Sequence, residues 1–245
     1  MAPLPIKRLL TVIVNHNCNA GAIALKKNLS PFCDTVLLDS GSKLTEMEMP
    51  YFDCKLPNVY YNGLLNKASE LAKMGNYSHM LFITSDVIID EPEALFDRIH
   101  KVYEAFIVGV YAPSAKYSTH HHMNNLGSNR LRKVTFVEGF CFVTPLSYLE
   151  EICPIDLAVN KIGHGVDIYL GFLSMATRRY AMVDDGVTVD HPHGSGYSDQ
   201  DARAQRDAWF RLKKSKVRIF HYLVSNNWLK NNFGFHFVNF IMKLL

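Results

Sequence analysis

Short apolar runs rich in β-branched residues recur through the first half of the chain, separated by polar or amphipathic stretches. Leu9 to Val14 reads LLTVIV, VLL leads into Asp39, HMLFIT covers His79 to Thr84, and FIVGV starts at Phe106. Runs of this length and composition predict buried strands. Between them, Leu64, Leu65, Ala68, Leu71 and Ala72 fall on one face of a helix. The stretch EPEALFDRIHKVYEAF opens on proline and acids, as helix N-termini prefer. NHNCNAGAIALKKNLSP reads as a loop and a helix closed before Pro31, and PNVYYN as a short third strand. Strands alternating with helices specify an α/β fold whose mainly parallel sheet carries helices on both faces. Ligands bind such sheets at the carboxyl ends of the strands, where Asn15, Asp39 and Asp86 all stand.

The 245 residues suit one large domain, or one domain with an appendage, and 48% hydrophobic residues supply its core. A net charge of +3 argues against a general nucleic-acid binder. Five cysteines without a CxxC pair give neither a disulfide framework nor a cysteine zinc site, and point to a reducing cytosol. The N-terminal apolar run is too short for a signal peptide, and no stretch reaches the roughly 18 apolar residues of a membrane span.

The second half is less regular. Ser114 to Lys133 is long and polar, which predicts a mobile loop. VTFVEGFCFVTP reads as a buried strand pair or bulged strand, and IGHGVDIYLGFLSMATRRY as two glycines and an apolar helix. AMVDDGVTVDHPHGSGYS gives short strands and a His- and Gly-rich loop. RLKKSKVR, Arg211 to Arg218, is strongly basic, and the tail after it is aromatic with helical spacing.

Each polar candidate has two readings. Asp39 in LLDSGS makes an Asx-turn, or accepts hydrogen bonds from a nucleobase or ribose. Asp86 in FITSDVI is a turn residue, or a ligand for Mg2+ or Mn2+, which take one or two carboxylates plus substrate phosphates. Asp167 in GHGVD is a helix N-cap, or a general base for a sugar hydroxyl. His191 and His193, two apart, project to one side of an extended segment. His120, His121 and His122 read as solvated, since consecutive residues cannot all face one ion.

Taken in order, these stretches resemble the GT-A glycosyltransferases, most closely the large inverting group called family 2. The matching stretches are TVIVNHN, VLLDSGS, YYNGLLNKASELAK, LFITSD in place of the DxD strand, VEGFCFVTPLSYLEEI, GHGVDIYLGFLSMATRRY and VTVDHPHGSGY, spanning about residues 9 to 197. The resemblance implies a GT-A, Rossmann-like fold over residues 1–205, with a nucleotide-sugar half (1–112), an acceptor half (113–205) and a C-terminal helical appendage (206–245). It implies that Asp39, Asn15, Asn17, Asn66, Lys67, Thr84 and Ser85 hold the nucleotide sugar. Asp86 and His191, with His193 as a weaker candidate, would hold Mn2+ or Mg2+. Asp167 would be the catalytic base, and Glu138, Gly139 and Gly165 would face the acceptor. One departure stands out: Thr84 replaces the first DxD acid.

The implied activity is inverting transfer of a hexose from a nucleoside-diphosphate sugar such as a UDP-hexose. The acceptor would be a hydroxyl of a glycan or glycolipid, in bacterial surface polysaccharide synthesis. Alternatives are an inactive nucleotide-sugar-binding module and a nucleotidyltransferase. Residues 211–245 either pack on the domain or lie on a membrane surface, which would put a cytoplasmic protein on the inner face of the membrane.

Overall fold

The computed structural model describes residues 2–192, 197–225 and 227–244. One eight-stranded sheet organises them, in the order β3-β2-β1-β4-β7-β5-β8-β6. The strands β1 (Leu9–Asn15), β2 (Asp34–Ser40), β3 (Cys54–Leu56) and β4 (His79–Thr84) pair in parallel, as do β5 (Val108–Ala115) and β8 (Tyr180–Val189). The strands β6 (Leu131–Val134) and β7 (Cys141–Pro145) run against them. The sheet is therefore mixed and mainly parallel. β1, β5 and β7 are buried along their whole length, as expected where helices cover both faces.

The helices follow the apolar spacing. α1 (Asn19–Leu29) and α2 (Tyr60–Met74) pack on β1 and β2, and α2 turns Leu64, Leu65, Ala68 and Ala72 inward. α3 (Pro92–Ala105) packs on β5 and β8 through Leu95, Phe96, Ile99, Val102 and Tyr103. α4 (Leu146–Ile152) joins α2 and β7, and α5 (Val166–Ala176) lies on β5 and β8. α6 (Asp199–Arg211), α7 (Ser215–Ser225) and α8 (Asn227–Leu244) end the chain. α7 packs on α5 and α6, and Trp209, Phe210 and Phe220 are buried.

The expectations for two stretches are corrected first. PNVYYN is not a strand: β3 lies earlier, at Cys54–Leu56, and Tyr60 already begins α2. Residues 114–133 are no plain loop. Ser114 and Ala115 end β5, a 3-10 turn spans His121–Met123, and β6 begins at Leu131. Arg132 holds the segment together by donating to the carbonyls of His122 and Asn124, each at 2.8 Å. Residues 112/113 lie in β5 and 205/206 in α6, and one sheet runs through residues 1–205.

β8 is one strand rather than several, interrupted by a bulge. Pro113 pairs with Asp184 but Ser114 with Thr188, so residues 185–187 have no partner on β5. Both acids of the VDDG stretch are fully buried there. Arg98 on α3 grips Asp184 at 2.7 and 2.9 Å, and Tyr111 donates to it at 3.1 Å. Arg132 grips Asp185 at 2.7 and 2.8 Å. Removing one partner of such a pair strands the other charge, at a cost of about 3–5 kcal/mol. Arg132→Met is expected to lose stability of that order, read from the midpoint of urea denaturation. Arg132→Met with Asp185→Leu should be distinctly less damaged, because no unpaired charge remains.

Candidate active site

β1 and β2 pair in register with Asn15 opposite Asp39. Neither is exposed, and they are tied together: Asn15 Nδ2 donates to Asp39 Oδ1 at 2.9 Å. The same amide reaches Asn19 Oδ1 at 3.0 Å and Ser42 Oγ at 3.1 Å. Asp39 Oδ2 accepts from the backbone N–H of Ser42 at 2.9 Å, so the turn anticipated after Asp39 is present. Asn17 stands at the same edge with φ 60°, its N–H donating to Ser42 Oγ at 2.7 Å. Asn15, Asn17 and Asp39 therefore share one strand-end cluster, joined by Asn19 and Ser42, which sequence reasoning missed.

Asn66 and Lys67 do not join it. Asn66 Nδ2 donates to the Ile155 carbonyl at 2.9 Å and its Oδ1 accepts from the Ile155 N–H at 2.8 Å. Lys67 pairs with Glu70 on the same helix at 3.0 Å. Helical spacing turns both away from the end of α2 that meets the cleft. Tyr61, at that end, donates to the Gly139 carbonyl at 2.8 Å.

After β4 the chain turns through Thr84 and Ser85. The Thr84 N–H donates to the Phe140 carbonyl at 2.9 Å and the Ser85 N–H to the Val14 carbonyl at 2.9 Å. Asp86 emerges from this turn facing His191, with Oδ2 to Nε2 at 3.1 Å. Two backbone hydrogen bonds between Ile88 and Asp190, 2.8 and 3.0 Å, hold the two segments side by side. Phe140 stacks on the imidazole, ring centres 4.6 Å apart and planes 14° apart. Burial pushes the Asp86 carboxyl up, but the hydrogen bonds from His191 and Thr84 outweigh it and hold it below the ordinary carboxylate value. Burial lowers His191, but the Asp86 hydrogen bond and charge raise it above the ordinary imidazole value.

One carboxylate oxygen and one imidazole nitrogen, already adjacent and oriented by Phe140, fit a divalent cation that completes its shell with phosphate oxygens and water. Among the described residues no group of three acids, histidines or cysteines forms a fuller cage. His193 lies outside the described residues.

Asp167 is the second residue of α5, not its N-cap. Gly165 takes that position with φ 95°, a left-handed conformation that suits glycine. A Cβ there would also meet Arg206 and Phe210 of α6 at 2.8 and 2.7 Å. Gly163, at φ 96°, lies directly on the ring of Tyr61. The two glycines thus let the loop thread between α2 and α6. Asp167 Oδ1 accepts from the Ile168 N–H at 2.8 Å. Burial, reinforced by the charge of Glu138, pushes its carboxyl up to about 7. The charge of Glu138 also acts on His191, which links the two halves of the site electrostatically. Ser118 Oγ holds Glu138 at 2.6 Å. His120 and His122 are not freely solvated: both rings pack edge-on against Phe136, while His121 is exposed.

No family model matches the sequence, and no curated protein matches it. Solved structures do. A mannosyltransferase of Pyrobaculum calidifontis, in complex with GDP-Man and Mn2+, is 12% identical with a TM-score of 0.64, over 99% of this chain and 75% of that one. Glucosyl-3-phosphoglycerate synthase of Mycobacterium tuberculosis, in complex with Mn2+, UDP-glucose and phosphoglyceric acid, is 15% identical with a TM-score of 0.56, over 85% and 81%. GalNAc-T7, with UDP, GalNAc and Mn2+, is 10% identical with a TM-score of 0.58, and 93% of this chain spans 56% of its length. The chain has the GT-A fold that these glycosyltransferases share.

Proposed function

We propose that this chain is an inverting glycosyltransferase that moves a hexose from a nucleoside-diphosphate sugar, a UDP-hexose by preference, to a hydroxyl of a glycan or lipid-linked acceptor. Bacterial surface polysaccharide synthesis is the proposed setting. What supports the reading is that Asn15–Asp39 and Asp86–His191 stand at strand ends of a GT-A fold, and that the charge of Glu138 acts on both His191 and Asp167.

The roles follow from the chemistry of each group. Asp39, fixed by Asn15 and Ser42, keeps lone pairs for donors on the base or ribose. Thr84 and Ser85 line the turn towards the phosphates. Asp86 and His191 would hold Mn2+ or Mg2+, which when bound offsets the charge on the departing diphosphate. Asp167 accepts the proton of the acceptor hydroxyl as that oxygen bonds to the anomeric carbon. The bond from that carbon to the diphosphate oxygen breaks, and the diphosphate leaves with the electron pair. One displacement inverts the centre. A base near neutral pH matches its task, and burial puts Asp167 at about 7. Glu138, Gly139 and Gly165 border this group and would shape the acceptor side. Thr84 in place of an acid favours a second reading, a module that binds nucleotide sugars without turning them over.

Two measurements separate these readings. Nucleotide sugars added with Mn2+ should raise the melting temperature, with about 2.7 kcal/mol of stabilisation at a hundredfold excess over Kd, and Asp39→Ala should abolish the effect. Asp167→Asn should keep that binding and lose roughly 10²- to 10⁴-fold in kcat. A parent protein that binds but never transfers would leave only the binding module.

The same carboxyl makes a pH prediction. Transfer should rise with pH through about 7 and level off above it. Its folded pKa lies above the unfolded value, so folding favours its protonated form and stability falls as pH rises from about 4 to about 7. Asp167→Asn should therefore melt several degrees higher than the parent at pH about 8, with the gap closing towards pH about 4.

A further inference from the structure

Charge is divided unevenly along the chain. All 23 acids precede Ala208, together with 19 of the 26 lysines and arginines. The last 38 residues carry seven cations and no acid. In the fold, this stretch is neither a loose tail nor a wholly buried one. α7 turns Val217, Phe220, Leu223 and Val224 inward. Lys214 just before it, and Lys216 and Arg218 within it, are exposed, and Arg218 borders Tyr222, which is 63% exposed. Arg211 and Leu212, the latter 70% exposed, precede it, and near the end of α8 Phe240 and Leu244 are 57% and 69% exposed. An open hollow of about 390 Å³ lies between Ser215, Arg218, Ile219 and Tyr222. Lys213 differs from its neighbours, because it is committed to the rings of Trp209 and Tyr169.

Among the described residues no helix is long and apolar enough to cross a membrane. A run of cations with Asp207 at its edge beside Tyr222, interleaved with exposed leucine and aromatic side chains, matches a helix lying in the headgroup region, where charge meets anionic lipid and the apolar groups enter the acyl boundary. A nucleic acid would use the cations but leave Leu212, Phe240 and Leu244 in water. We propose that the outward side of α7, with Leu212 and the end of α8, is a docking face for a bilayer containing anionic phospholipid. The proposal goes beyond the transfer reaction and uses none of the residues assigned to it, so either can fail alone.

The test is co-sedimentation of the full chain with vesicles of phosphatidylcholine, alone or with added phosphatidylglycerol. Binding is expected only with the anionic lipid. It should weaken as salt is raised and the screening length falls from about 10 Å at 0.1 M to about 3 Å at 1 M. Lys214→Glu with Arg218→Glu should weaken binding at least about tenfold, and Leu212→Ser with Tyr222→Ser should weaken it without changing the salt dependence. Melting temperatures of the variants report on folding, and the salt series on the parent requires no variant. Equal binding to neutral vesicles, no binding to either, or full binding by the charge-reversed protein would overturn the proposal. So would a duplex oligonucleotide bound in place of vesicles.

Discussion

Asp184 and Asp185 stand side by side in β8 with no exposed side-chain surface, each gripped by its own arginine, Arg98 from α3 and Arg132 from β6. Neighbouring buried carboxylates repel one another and pay a desolvation penalty, so both cations have to be in place before the strand can close. The pairs fix the bulge that lets Thr188 and Val189 rejoin β5. Past that point, Asp190 meets Ile88 and His191 arrives at Asp86. The contact between Asp86 and His191 that the proposed chemistry needs thus follows a strand held by two ion pairs.

The cleft treats its two principal acids in opposite ways. Asp86 has hydrogen-bond donors in His191 and Thr84 that overcome its burial, so it stays ionised, as a cation ligand must. Asp167 is desolvated, with the charge of Glu138 near it, so it is poised to take up a proton near neutrality. Environments that push two carboxylates apart are how one site assigns distinct roles to the same functional group. Phe140, just before β7, supports the first of them, accepting from the Thr84 N–H through its carbonyl and stacking its ring on His191.

Sharing a fold at 10–15% identity is compatible with this division. Core positions demand apolar side chains of suitable volume and tolerate much exchange within that limit. The strand-end polar groups are a small fraction of the chain, and family-level similarity over the whole length can vanish while the sheet order remains.

The strands β1, β2, β4 and β5 and the helices α2 and α3 were legible because period and β-branching report local burial. PNVYYN misled because apolar aromatics at the start of a helix look like a short strand. Asp184 and Asp185 carry no local sign of their burial, since nothing nearby reveals that arginines 86 and 53 positions away will meet them. Asn66 and Lys67 were placed by motif order, and only the direction of their side chains removed them from the cleft. By itself, the sequence determined the alternation of strands and helices, and hence the sheet whose ends carry Asn15, Asp39 and Asp86. Tertiary structure alone decided that Asp86 faces His191, that Asp167 is desolvated beside Glu138's charge, and that Lys214, Lys216 and Arg218 remain exposed. Those outcomes depend on contacts between distant residues and on the dielectric they create, which no local pattern encodes.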